Sequence, residues 1–305
     1  MKKRNIPISL PVTGEEEWLA IKEPITTGWL TSGPKVRAFE HAFAERHNVK
    51  HAIAVTSATT ALHLALIALD IKPGDKVIVP AFTWVSTANV VLYQGAEVIF
   101  CDIDPNTFNL DPNKLREKIT PKTKAIIVVH LFGLCAPMDD IKTIAGDIPL
   151  IEDGACAAGA AYKGSPAGGL GTMGCFSFHP RKSITTGEGG MITTNDDTLG
   201  SALKVLRNHG ASISEEERHH GPKPYILPDF NVLGYNYRMT DLQGAIGEVQ
   251  LKKLDTFIQE RARWAAFYAN ELKVIPWIQV PEFSSDYSHG WQSFVLLIDE
   301  DKAPR

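Results

Sequence analysis

Two short stretches hold residues whose types and spacing could do chemistry together. The first is CFSFHPRKSITTGEGG, Cys175 to Gly190, in which Lys182 follows an aromatic run. Phe176 and Phe178 alternate as a strand requires, and Pro180, which has no ladder donor, stops that strand. Lys182 therefore stands in a loop just past a strand end, where α/β proteins bind ligands. Gly187, Gly189 and Gly190 let the chain turn tightly behind it. Taken alone, such a lysine reads as an ordinary solvated residue. The second stretch, IPLIED from Ile148 to Asp153, is a short apolar strand ending in two carboxylates and followed by the small residues GACAAGAA. A lysine and a carboxylate at strand ends are the two protein groups that pyridoxal phosphate chemistry needs. The lysine forms a Schiff base, and the carboxylate keeps the pyridine nitrogen protonated so that the ring takes up electrons. Residue type alone leaves Glu152 and Asp153 equally eligible.

The elements that must position these groups alternate in type. Short apolar runs at His51–Val55, Val77–Val79, Val98–Phe100, Ala125–Val129, Leu150–Ile151 and Met191–Thr194 read as strands, separated by helix-length or loop-length segments. This alternation predicts an α/β fold, a mostly parallel central sheet with helices on both faces. Leu62, Leu66 and Leu69 give a helix opening at Ser57, Ala58 and Thr59, whose free amides suit a phosphate as well as a plain cap. Further helices are expected over Val36–Arg46 and Leu199–Leu206. Thr240 and Gln243 form a capping box ahead of a long helix with Leu242, Ile246, Val249, Leu254, Phe257 and Ile258 on one face. Trp277–Val280 and Trp291–Ile298 read as strands of a smaller unit, which divides the chain into a large domain over 1–245 and the start of a small one over 246–305. Between Ala211 and Asn231 the chain is charged and proline-punctuated, a long loop in which His219 and His220 read as solvated.

Composition bounds the function. The 305 residues are 44% hydrophobic and 22% charged, as in ordinary globular enzymes. A net charge of −4 without a basic run argues against nucleic acid, and no apolar stretch approaches a membrane span. The N-terminus MKKRNIPISLPV lacks the apolar core and small-residue cleavage site of a secretory signal, so the cytoplasm is expected. Cys101, Cys135, Cys156 and Cys175 are widely spaced and read as free thiols rather than a metal or redox pair. Asp102 and Asp104 in CDIDP read as turn residues, with no metal expected.

Across GWLTSGPKVRAFE (Gly28 to Glu40), VTSATTALHLAL (Val55 to Leu66), PAFTWVST (Pro80 to Thr87), IEDGA (Ile151 to Ala155), FSFHPRKSITTGEGG and GYNYRMTDLQ (Gly234 to Gln243), the chain resembles the DegT/DnrJ/StrS family of aminotransferases. These enzymes act on nucleotide-linked sugars and have the fold type I architecture of pyridoxal-phosphate-dependent transferases. The resemblance implies Lys182 as the Schiff-base lysine and Asp153 as the partner of the pyridinium. It further implies Ala58, Thr59 and Ser177 as phosphate ligands, Trp84 against the ring face, and Cys156 where many members carry Gln or His. Thr31, His179, Arg207 and His209 fall on the substrate side, although RNHG, Arg207 to Gly210, also reads as a plain helix end. Asn236 is expected to reach the cofactor phosphate of a neighbouring subunit, making a homodimer with shared sites. The implied partners are a keto sugar carried on a nucleotide and a glutamate-like amino donor. Relatives continue beyond the point matching Arg305, so the small domain is expected to be incomplete. Two other readings remain: a dehydratase of the same fold, in which histidine replaces the lysine, and a non-catalytic regulatory relative.

Overall fold

The structure, a computed structural model, describes residues 7–213, 225 and 227–304. Expectations for residues 1–6 and for His219 and His220 lie outside the described residues. The helices are α1 (Glu15–Ala20), α2 (Lys22–Thr27), α3 (Pro34–His47), α4 (Ala58–Ala68), α5 (Ser86–Tyr93), α6 (Pro112–Lys118), α7 (Met138–Ala145), α8 (Asp197–Leu206) and α9 (Asp241–Leu272). The strands are β1 (His51–Val55), β2 (Lys76–Pro80), β3 (Glu97–Cys101), β4 (Thr123–Val129), β5 (Leu150–Asp153), a hairpin of β6 (Ala161–Tyr162) and β7 (Ser165–Pro166), β8 (Met173–Ser177) and β9 (Gly190–Thr194). Seven of them form one sheet in the order β1-β9-β8-β5-β4-β2-β3. Strands β3, β2, β4, β5 and β8 run parallel. Strand β9 runs against both of its neighbours, so it alone is reversed.

Each face of this sheet is sealed by its own apolar cluster, which is why the central strands are continuous apolar runs rather than alternating ones. On one side Phe39 and Phe43 of α3 pack against Phe176 and Phe178 around β8. On the other, Leu62, Leu64 and Leu66 of α4 lie against Val79, Ile192 and Cys175. Helix α9 runs unbroken through residue 245, opening on the expected Thr240 and Gln243 capping box. Asp241 in its first turn also accepts the amides of Gly33, Lys35 and Val36, so one carboxylate ties the starts of α3 and α9 together. Asp104 accepts the amides of Asn106 and Thr107, a side-chain-capped turn. Among the described residues no helix is long and apolar enough to cross a membrane.

The C-terminal segment departs from expectation. Strand β10 (Ile278–Gln279) pairs with β12 (Leu297–Ile298), and β11 (Tyr287–Ser288) joins the β6–β7 hairpin. Trp291 to Ile298 is therefore not one strand. Gly290 and Ser293 donate their amides to the carbonyls of Gly133 and Phe132, and Trp291 takes a left-handed φ of 46°. Those bonds fasten the segment to the turn after β4, beside the carboxyl ends of the sheet.

Candidate active site

A cleft of about 570 Å³ opens at the carboxyl ends of β5 and β8. At its floor Asp153 is 5% exposed. Its carboxylate accepts the Thr87 hydroxyl at 2.9 Å and the Ala155 amide at 3.2 Å. Burial pushes its pKa up, and the Thr87 bond opposes that shift. Glu152, one pleat along the same strand, faces away from the cleft and is fully buried. Its carboxylate accepts from His130 Nε2 at 2.9 Å and from the amides of Gly168 and Gly171. The strand pleat thus separates two carboxylates that the sequence leaves equivalent.

The N-terminus of α4 also borders the cleft. Ser57 caps it by accepting the Thr60 amide at 3.1 Å. The amides of Ala58 and Thr59 have no intrahelical acceptor, and both residues line the cleft. Gly190, at the start of β9, crosses directly behind this turn: a Cβ there would stand 2.4 Å from the Ser57 carbonyl carbon and 2.8 Å from the Ala58 nitrogen. Only glycine permits that approach. Ser177, at the end of β8, brings its hydroxyl to the same cleft.

Lys182 enters from a tight turn. Its amide donates to the His179 carbonyl at 2.8 Å, with Pro180 and Arg181 at the corner. The loop then returns through Gly187, whose φ of +83° favours glycine, while Thr185 and Thr186 both donate to the Phe178 carbonyl. Lys182 Nζ lies 3.3 Å from Cys156 Sγ. His179 Nδ1 accepts the Arg181 amide at 3.2 Å, which leaves Nε2 as the protonated nitrogen of a neutral ring. Trp84 stands at the cleft wall and is 77% exposed.

Ala58, Thr59, Trp84, Asp153, Cys156, Ser177, His179 and Lys182 thus line a single cleft. Thr31, Arg207, His209 and Asn236 do not line it. The Arg207 guanidinium is held by the Glu40 carboxylate and the Ala54 carbonyl, on the wall of a separate cavity of about 350 Å³. His209 takes a left-handed φ of 59° and donates its amide to the Tyr235 carbonyl, as a helix-ending residue does. Asn236 forms a backbone bridge with Asn208. The Thr31 carbonyl accepts the amide of Asp241. Several further residues belong to the cleft region without having been anticipated as site residues, Thr87, Arg181, Glu188 and Gln292 among them. Thr87 sits inside PAFTWVST, where a hydroxyl one turn after an aromatic is a readable signal. Gln292 lies in a run that reads as a strand, and nothing local marks it.

Residues 11–305 match the DegT/DnrJ/EryC1/StrS aminotransferase family. The chain is 42% identical to the spore coat polysaccharide biosynthesis protein SpsC of Bacillus subtilis (strain 168), over 99% of this chain and 79% of that protein. It superposes with a TM-score of 0.90 on the aminotransferase from Psychrobacter cryohalolentis, at 33% identity, covering 97% of this chain and 78% of that one. A TM-score of 0.87 at 34% identity relates it to a GDP-4-keto-6-deoxymannose-3-dehydratase solved with a trapped PLP-glutamate geminal diamine, covering 98% of this chain and 81% of that one.

Proposed function

The chain belongs to the DegT/DnrJ/EryC1/StrS aminotransferase family, and we propose that it moves an amino group from a glutamate-like donor to the keto group of a nucleotide-linked sugar, acting as a cytoplasmic homodimer. Pyridoxal phosphate is its cofactor. The residues present fit that group: a helix N-terminus with open amides for a phosphate, a buried carboxylate for a ring nitrogen, and a lysine amine, all in one cleft. Bound there, the cofactor supplies a protonated ring that accepts the negative charge developing on the reacting carbon.

This chain's own residues do the rest. Asp153 holds a proton at the ring nitrogen, because a carboxylate taken out of water is stabilised by an adjacent cation. Thr87 and the Ala155 amide orient it. Ala58, Thr59 and Ser177 receive the phosphate, and Trp84 covers one face of the ring. Lys182 Nζ is the amine that anchors the cofactor and then carries a proton to and from the reacting carbon. Cys156 Sγ, 3.3 Å from that amine, is a weak hydrogen-bond partner for it.

The single observation that carries this reading is that Asp153, Lys182 and the α4 N-terminus open into the same cleft. Its test is borohydride reduction of the yellow holoenzyme followed by peptide mapping. The cofactor is expected on Lys182, and a label on any other lysine refutes the assignment. Incubation with L-glutamate and a panel of nucleotide-linked keto sugars, read by product mass and NMR, then separates transamination from dehydration. The dehydratase neighbour keeps the second reading in view, and a product that has lost an oxygen without gaining nitrogen would establish it. The presence of Lys182 where the resemblance associates dehydration with histidine favours transamination.

A further inference from the structure

An amino-acid donor brings an α-carboxylate into the cleft, and that charge needs a partner. Arg181 lines the cleft beside Lys182. Five other arginines are engaged: Arg46 with Asp255, Arg207 with Glu40, Arg238 with Asn208, Arg261 with the Trp291 carbonyl and Arg263 with Glu260. The Arg181 guanidinium, by contrast, makes no hydrogen bond or ion pair with any described residue. Its main chain is nonetheless held at both ends, the amide on His179 Nδ1 at 3.2 Å and the carbonyl by Gln292 Nε2 at 3.0 Å. A fixed backbone with an uncommitted guanidinium is what an incoming anion requires, since little order is lost when it binds. Apart from Lys182, which is consumed by the chemistry, Arg181 is the only fixed cation among the described residues that line the cleft.

Bond connectivity decides which anion this is. The donor's carboxylate is attached to the same carbon as its amino group, so it lies beside the position that the Lys182 amine vacates. A nucleotide sugar's diphosphate is attached at the anomeric carbon, further along the molecule from its keto carbon. The geometry points to Arg181 as the residue that binds the α-carboxylate of the amino donor, held in place from the C-terminal segment by Gln292. This assignment rests on the aminotransferase reading above.

The experiment uses holoenzyme and the Arg181→Gln and Arg181→Lys variants, following loss of cofactor colour in single turnover. With L-glutamate, Arg181→Gln is expected to raise the half-saturating concentration roughly 10- to 100-fold, the worth of a charge-assisted pair, with little change in the plateau rate. Arg181→Lys should recover part of that loss. With n-butylamine, which has no carboxylate, parent and variant should react alike, and inhibition by GDP, UDP and dTDP should be unchanged. An unaltered glutamate dependence overturns the inference. So does an equal loss with n-butylamine, which would mean a disturbed Lys182, or a loss confined to nucleotide inhibition, which would assign the guanidinium to the diphosphate. A parent enzyme whose colour responds to no α-amino acid overturns the aminotransferase reading and this inference with it, whereas a responsive parent with an indifferent variant overturns this inference alone.

Discussion

Glu152 and Asp153 are adjacent carboxylates on one strand, and their surroundings give them opposite tasks. His130 Nδ1 accepts the Ala136 amide at 3.1 Å, so its proton sits on Nε2 and is donated to Glu152. With the Gly168 and Gly171 amides this makes three donors around one buried carboxylate, a structural anchor for β5. Glu152→Gln must turn an NH₂ group toward one of those donors. It is expected to lower unfolding free energy by about 2–4 kcal/mol in denaturant titration, while the folded fraction keeps the cofactor colour. Asp153 has no such ring of donors. Because burial raises its pKa in the fold, the stability linked to it is full below the unfolded pKa and is lost as pH rises through the folded value. Ionising this buried carboxyl is therefore unfavourable in the apoprotein. Asp153→Asn is expected to raise the apoprotein's melting temperature at pH 7 yet slow the donor half-reaction roughly 10²- to 10³-fold. A lower apoprotein melting temperature, or an unchanged half-reaction, would count against a carboxylate placed for the ring nitrogen.

At the scale of elements, helix α3 shows how packing determines a titration. Phe39, Phe43 and His47 recur every four residues on its buried face, and the His47 ring stacks on Phe43 with centroids 4.2 Å apart. His47 Nδ1 donates to the Ala167 carbonyl at 2.8 Å, while Nε2 is buried with no partner among the described residues. Burial pushes the His47 pKa down to about 4. A depressed folded pKa gives stability that is present above the unfolded value and is lost as pH falls from about 6.5 toward 4, on the order of 3 kcal/mol at most. Urea titrations at pH 7 and pH 4.5 should show this loss, and in His47→Phe the difference between the two pH values should shrink whatever the variant's absolute stability. The strands of the sheet, the α4 cap and the Thr240 box were legible because their signals are local: β-branched runs, a Ser before a helical period, a Thr three residues before a Gln. The same locality made Asp153 and Lys182 readable as strand-end residues. Gln292 and the true course of 291–298 were not legible. Aromatic and branched residues there suit a strand, but the amides of Gly290 and Ser293 are claimed by Gly133 and Phe132, far away in sequence. Arg207 was ambiguous for a related reason, since the carboxylate that holds it, Glu40, belongs to another helix. No periodicity encodes which distant group a side chain will meet.

For the whole molecule, the unexplained feature is exposed apolar side chains, of which Trp84 lines the cleft. Trp84 and Val85 lead into α5, whose Leu92 and Tyr93 are 60% and 59% exposed, and Phe100 on the edge strand β3 is 54% exposed. Leu233, three residues before Asn236, is 83% exposed. Exposed large apolar side chains are what a covering chain would bury. Asn236 itself lies outside its own chain's cleft, on a segment bridged to the end of α8. Both facts support a two-fold dimer in which the segment around Asn236 completes the partner's phosphate site. Such symmetry produces two equivalent sites, each built from both chains. Lys182→Ala and Asn236→Ala homodimers should then each be impaired, the first in chemistry and the second in cofactor retention. Equal amounts exchanged through dissociation and reassociation give a mixed dimer in half of all pairings. One of its two sites takes Lys182 from the second mutant and Asn236 from the first and is intact, while the other carries both defects. Recovered activity should therefore approach about one quarter of the parent's. If Asn236 served its own chain, every site in a mixed dimer would retain one defect, and no gain after proven subunit exchange would count decisively against the shared site.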